Sequence, residues 1–198
     1  MTAAETPVNE QSLLQRVFAQ YGRNLLLVGF ILLAAVIFQI ADDNFLSVTN
    51  IGIMMRSMAV LLLLSLGMTV VIITAGIDLS VGSNVAFSGA VGVIVLVETG
   101  IPFAGFAAAV VAGMSIGALN GFFVGRLGLS AFMVTLATFA LARGLALVLL
   151  DATSIGTDDQ IYLWLGKTTI GEDFPVSIVF VAIVALTLGF VMHRTTFG

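Results

Sequence analysis

Gly67-Met68-Thr69-Val70-Val71-Ile72-Ile73-Thr74-Ala75-Gly76-Ile77-Asp78-Leu79-Ser80-Val81-Gly82-Ser83-Asn84 is the stretch on which the reading of this chain turns. Its first half completes an apolar run that starts near Ile51, long enough to cross a hydrocarbon core at about 20 residues per helix. Its second half sets a carboxylate, two hydroxyls and an amide among small residues before a further apolar run begins. Hydrocarbon does not tolerate such polar groups unpaired, so the break predicts either a helix end at the membrane surface or an unwound segment packed inside protein.

Working outward, the same alternation of apolar run and polar break covers the chain. Span 1 is expected over Asn24–Ala41, stopping at Asp42-Asp43-Asn44, and span 2 over Ile51–Ile73. Span 3 is expected over Ser83–Val97, span 4 over Pro102–Phe123, span 5 over Leu129–Leu150 and span 6 over Pro175–Met192. A polar stretch from Asp151 to Phe174 forms the one long loop between spans. The runs are too long and continuous for barrel strands, so the fold class is all-α: a polytopic integral membrane helix bundle of about six spans. Span 3 would measure only about 22 Å at 1.5 Å per residue, against a core of about 30 Å. Either the break enters the membrane or this helix is short and packed inside the bundle.

Composition requires the same class. Of 198 residues, 60% are hydrophobic and only 9% are charged, and the mean hydropathy is +1.17. A water-facing domain carries about 25% charged residues; this chain cannot cover its own surface with charge and must face lipid. The net charge of −4 sits mostly in loops, and no basic patch points to nucleic acid. There are no cysteines, which removes disulfides and thiolate metal sites, and the single His193 beside Arg194 offers no metal cluster. No cofactor is expected.

Residues 1–23 carry Glu5, Glu10, Arg16 and Arg23 and lack a cleavage site, so they read as a cytoplasmic tail with a short amphipathic helix from Ser12 to Tyr21. Residues 24–198 form the membrane domain. Arg16, Arg23, Arg126 and Arg194 all fall on one side if the N-terminus is cytoplasmic. The acidic connections, with Asp42, Asp43, Glu98, Asp151, Asp158, Asp159, Glu172 and Asp173, then fall outside; only Lys167 disagrees. The chain stops at Gly198 as a cytoplasmic loop begins, which reads as an incomplete C-terminus.

Four groups of residues are candidates for chemistry. In the break, Gly76 and Gly82 supply flexibility, while Asp78, Ser80, Ser83 and Asn84 supply polar groups at membrane depth. Two roles are open to Asp78: capping the first turn of span 3, or facing a substrate path as discontinuous helices do in transporters. In span 4, Gly105, Ala109, Gly113, Gly117, Gly121 and Gly125 recur every fourth position and predict a face for close helix packing. Asn120 on that helix, and Thr135 and Thr138 on span 5, read as groups that hydrogen-bond between helices. Arg143 lies one or two turns below the outer surface of span 5 and is a candidate for a polar vestibule, whereas Arg56 is near enough to the interface to snorkel. Gly166-Lys167-Thr168-Thr169 is not a phosphate loop, because Ile161 stands where the pattern needs glycine. Nothing reads as a catalytic site.

The Gly-Met-Thr of residues 67–69 followed by Ile77-Asp78-Leu79-Ser80-Val81-Gly82-Ser83 resembles the permeases of ribose/xylose/galactoside-type ABC importers. Asn44-Phe45-Leu46-Ser47, Asn50-Ile51, Leu119-Asn120-Gly121, the run Ala131–Thr138 and Arg143-Gly144 are similar to that family as well. Ala75 stands in place of a usual glycine, Ser130 of a usual proline and Ala137 of a usual glycine. The resemblance implies a permease of about ten spans in the bacterial inner membrane that pairs as a homodimer. It also implies a cytoplasmic ATPase subunit and a periplasmic sugar-binding protein as partners, and hence monosaccharide import without covalent chemistry in this chain. An ion-coupled secondary transporter using Asp78, a channel, and a branched-chain amino acid-type ABC permease are the alternatives.

Overall fold

The structure, a computed structural model, describes residues 13–171 and 174–195. Seven helices and one short hairpin follow in order: α1 (Leu13–Ala41), α2 (Val48–Ile73), α3 (Val81–Thr99), α4 (Pro102–Gly121), α5 (Ala131–Leu149), α6 (Gln160–Lys167), β1 (Thr169–Ile170), β2 (Phe174–Pro175) and α7 (Val176–Arg194). Helix α4 runs on into a π-helical turn, Phe122–Arg126. Six segments are long and apolar enough to cross a membrane: Asn24–Ala41, α2, α3, Pro102–Arg126, α5 and α7. Large apolar side chains point outward along them; Val148 and Leu186 are each 75% exposed. In water each such side chain would forfeit about 1.5–3 kcal/mol of burial, so the outward face is a lipid face. The chain is a polytopic all-α membrane protein.

The described residues fall into two compact units, divided between Ile51 and Gly52. In the first, α1 is continuous from Leu13, so the described part of the expected amphipathic segment is the first turns of the span's own helix; the rest of the tail, residues 1–12, lies outside the described residues. The turn that follows is tied by side chains. Gln39 accepts the Leu46 N–H at 2.8 Å and donates to the Asp43 carbonyl at 2.8 Å. Asn50 donates to the Phe45 carbonyl at 2.7 Å. These side-chain amides satisfy backbone groups that the end of α1 and the turn leave without helical partners.

In the second unit, α3 packs on α4 along its length and on α5, and these three helices hold most of the buried residues. Close approach is where the glycines matter. A Cβ built on Gly105 would lie 2.8 Å from the Gly92 carbonyl oxygen, and one on Gly92 would lie 2.9 Å from the Ala109 Cβ. The α3–α4 contact is therefore backbone on backbone, as small-residue faces allow. Tyr162 of α6 lies over the same notch: a Cβ on Gly92 would meet its hydroxyl at 2.8 Å, and its ring stacks on Phe106 at 4.6 Å. Burial raises the Tyr162 phenol above its ordinary pKa, so the ring stays neutral in this contact.

Three expectations are corrected. Helix α3 begins at Val81 and ends at Thr99, not over Ser83–Val97. Its 19 residues span about 28 Å at 1.5 Å per residue, so the length mismatch disappears. The long polar loop carries elements of its own, α6 and the β1–β2 hairpin, with Thr169 paired to Pro175 and Ile170 to Phe174. And among the described residues the small-residue stripe of α4 meets another helix over only part of its length.

Candidate functional site

The break between α2 and α3 opens with a left-handed residue. Gly76 N–H donates to the Val71 carbonyl and Ala75 N–H to the Ile72 carbonyl, both at 2.9 Å, around Ala75 at φ 54°. This is the paired-bond helix stop that usually places glycine at the left-handed position. Here alanine holds it, and Gly76 is the next residue, not the strained one. A Cβ on Gly76 would meet the Val71 carbonyl oxygen and Cγ1 at 3.2 Å, which leaves little room for a larger residue.

Asp78 does not cap α3. The N-cap position is Ser80, whose side chain makes no capping bond to the first turn. Instead, the Asp78 Oδ1 atom accepts the Ser80 N–H at 2.8 Å and the Ser80 hydroxyl at 2.6 Å. Asn120 Nδ2 of α4 then donates to Ser80 Oγ at 2.9 Å, and Thr138 Oγ1 of α5 donates to Asn120 Oδ1 at 2.8 Å. Protons fix the orientation of the amide. A carboxylate only accepts, so the Ser80 hydrogen is committed to Asp78 and Ser80 can only receive from Asn120. The result is a polar spine of four side chains joining the break, α4 and α5. Nearby, Thr135 of α5 lies 3.3 Å from the Ile77 carbonyl and 2.7 Å from the Ala131 carbonyl. Ser80, Asn120, Thr135 and Thr138 are all buried, at 7% exposure or less, which is the depth at which unmade hydrogen bonds cost most.

A cavity of about 320 Å³ opens against this spine, with Thr74, Gly76, Asp78, Asn120 and Thr135 as its polar wall. Val71, Ile77, Val124 and Ala131 supply the apolar wall, and Gly117 and Gly121 its far side. Nothing lies within 4 Å of a Cβ placed on Gly117 or Gly121. The stripe on α4 thus changes role along the helix: Gly105 and Gly113 face α3, whereas Gly117 and Gly121 leave the space that becomes the cavity. Gly125, in the π-helical turn, likewise has no neighbour within 4 Å and packs no helix of the described chain. A larger groove of about 430 Å³ beside α4 and α5 is lined mainly by Leu119, Phe123, Leu129, Met133 and Leu141. It offers few polar groups, so the smaller cavity is the better candidate for a polar solute.

The other candidates lie elsewhere. Gly82 is exposed. Ser83 is buried with its hydroxyl unpartnered, and Asn84 donates to the Gly113 carbonyl at 3.1 Å, tying α3 to α4. None of the three lines the cavity. Arg143 is exposed on α5, away from the cavity, and has no hydrogen bond or ion pair among the described residues. Arg56 lines a separate space of about 150 Å³ between α2, α6 and α7, with Ser177. Asn120, Thr135 and Thr138 do bond between elements, as their positions in apolar helices predict.

Residues 50–198 match the family described as branched-chain amino acid transport system / permease component. The D-allose transport system permease protein of Escherichia coli is 35% identical over 169 residues, which are 84% of this chain and 51% of that protein. The ribose import permease protein of Escherichia coli is 33% identical over 178 residues, 87% of this chain and 54% of the relative. The L-arabinose ABC transporter permease protein of Azospirillum brasilense is 29% identical over 175 residues, 88% and 50% respectively. The chain therefore spans about half the length of the curated relatives it matches. No solved structure matches it.

Proposed function

This chain belongs to the family of branched-chain amino acid transport system permease components, and on that footing we propose that it is the membrane-spanning translocation subunit of an ATP-driven monosaccharide importer. The observation that carries the choice of solute is the cavity wall. It holds hydroxyls, an amide and one carboxylate, and no cationic residue lines it. A zwitterionic amino acid would pair its ammonium with Asp78 but would find no cationic side chain along the wall for its own carboxylate, which is expensive away from water. A neutral polyol meets no such penalty. The relatives named as permeases for D-allose, ribose and L-arabinose favour the same choice.

In this reading the protein resides in the bacterial inner membrane with its N-terminus in the cytoplasm, and the Asp78 break lies at the cytoplasmic end, near Arg126. The chain performs no covalent chemistry. A separate cytoplasmic ATPase subunit hydrolyses ATP, a periplasmic sugar-binding protein delivers the solute, and a second copy of the permease completes the pathway. ATP binding shifts the population between two packings of the helices. The break, held by one strained alanine and a few side-chain bonds, is the segment expected to move, with Gly76 and Asp78 at its cavity face.

The test is sugar uptake by membrane vesicles carrying the complete transporter. With internal ATP held constant, collapse of the proton and sodium gradients is expected to leave uptake intact. Loss of uptake under those conditions would replace this reading with an ion-coupled carrier in which Asp78 holds the ion.

A further inference from the structure

Asp78 uses only half of its carboxylate to hold the fold. Oδ1 accepts both bonds from Ser80, while Oδ2 accepts none from any described residue, although Asp78 lines the cavity. Asp78 is half-buried, and its second oxygen is left open to the cavity as a free acceptor for an arriving donor. Asn120 also lines the cavity, and its Nδ2 carries a second hydrogen beyond the one given to Ser80. One acceptor and one donor are therefore presented on a wall that Thr74 and Thr135 also line, the remainder being apolar side chains and glycine.

Resting on the translocation reading above, we propose that this cavity is a polyol contact site in which Asp78 Oδ2 receives a sugar hydroxyl, with Asn120 and Ser80 positioning the carboxylate. A sugar offers hydroxyl donors for Oδ2, hydroxyl oxygens for the Asn120 amide, and C–H faces for Val71, Ile77 and Val124. The volume of about 320 Å³ sits at the small end of ligand pockets, about 300–1,000 Å³, and suits one small solute. Gly117 and Gly121 determine that volume, since any side chain there would occupy it. A contact of this kind discriminates by hydroxyl, because an analogue lacking the right one leaves the carboxylate unfilled.

Asp78→Asn separates the two halves of the carboxylate. Asparagine keeps an oxygen for Ser80 and replaces Oδ2 with a donor. In the complete transporter, supplied with radiolabelled D-ribose, D-allose or L-arabinose and their singly deoxygenated analogues, the unaltered protein should disfavour one deoxy analogue by about tenfold. Asp78→Asn should lower uptake of the parent sugar about tenfold and abolish that discrimination. Uptake and discrimination unchanged in Asp78→Asn would overturn the proposal while leaving the importer reading in place. No ATP-driven sugar uptake by the unaltered transporter would overturn the importer reading and this site with it. Gly121→Leu gives a second test that leaves the spine intact and meets no neighbour within 4 Å of its Cβ. It should reach the membrane and lose uptake, and full uptake by this variant would equally contradict the site.

Discussion

Ala75 holds φ at 54° with a side chain that disfavours that conformation, at a cost of about 1–2 kcal/mol. The strain sits where α2 must stop so that Asp78 can reach Ser80. Ala75→Gly is therefore expected to stabilise the protein by about 1 kcal/mol, measured as resistance to denaturant in detergent; an unchanged or lower stability would show that the left-handed turn is not strained. Sequence reading identified Ala75 as a departure from the related permeases but not its consequence, because φ is decided by which carbonyls the helix end must satisfy. Ser130, a second departure, is milder for a visible reason: its φ of −58° is one that proline also holds. Asp78 was legible as a polar residue at depth. That it bonds Ser80 and does not cap α3 was not, since capping and a two-residue turn need the same residue types.

Helix packing divides α4 into two halves that a four-residue repeat of small residues makes look alike. Sequence periodicity gives the face a glycine occupies, not whether another helix lies against that face; only the α3–α4 contact distinguishes them. Gly92→Ala and Gly105→Ala must move backbone, and each is expected to cost about 1–3 kcal/mol through overpacking. Gly117→Ala adds a methyl to open space and is expected to be neutral or to stabilise by up to about 1 kcal/mol through helix propensity. Thermal unfolding of the three variants in one detergent checks the contrast; equal losses at all three positions would mean that the stripe packs along its whole length. The Tyr162 contact was hidden from sequence for a related reason. Its partners, Gly92, Gly105 and Phe106, are distant in the chain, and a lone tyrosine in a polar loop carries no periodic signal. The six spans themselves were readable to within a few residues because run length against the thickness of hydrocarbon is a strong constraint.

At the scale of the molecule, the proposed orientation rests on Arg126 and Arg194 lying on one side and on acidic loops lying on the other. With no native cysteine, single introduced ones report cleanly. Thr153→Cys should react with a membrane-impermeant maleimide in spheroplasts, and Ser130→Cys only in inverted vesicles; the reverse pattern would invert the topology and place the Asp78 break outside. Surfaces that would bind partners or a second copy read in sequence as ordinary lipid-facing or loop residues, so those companions enter through the family resemblance alone. The central claim is that this chain works as one subunit of an ATP-driven importer. Its most direct test is gentle solubilisation of native membranes, capture of the tagged complete permease and mass spectrometry of what accompanies it. An ATPase subunit and a periplasmic sugar-binding protein are the expected companions. Repeated recovery of the permease alone, still competent for gradient-driven uptake, would contradict the account.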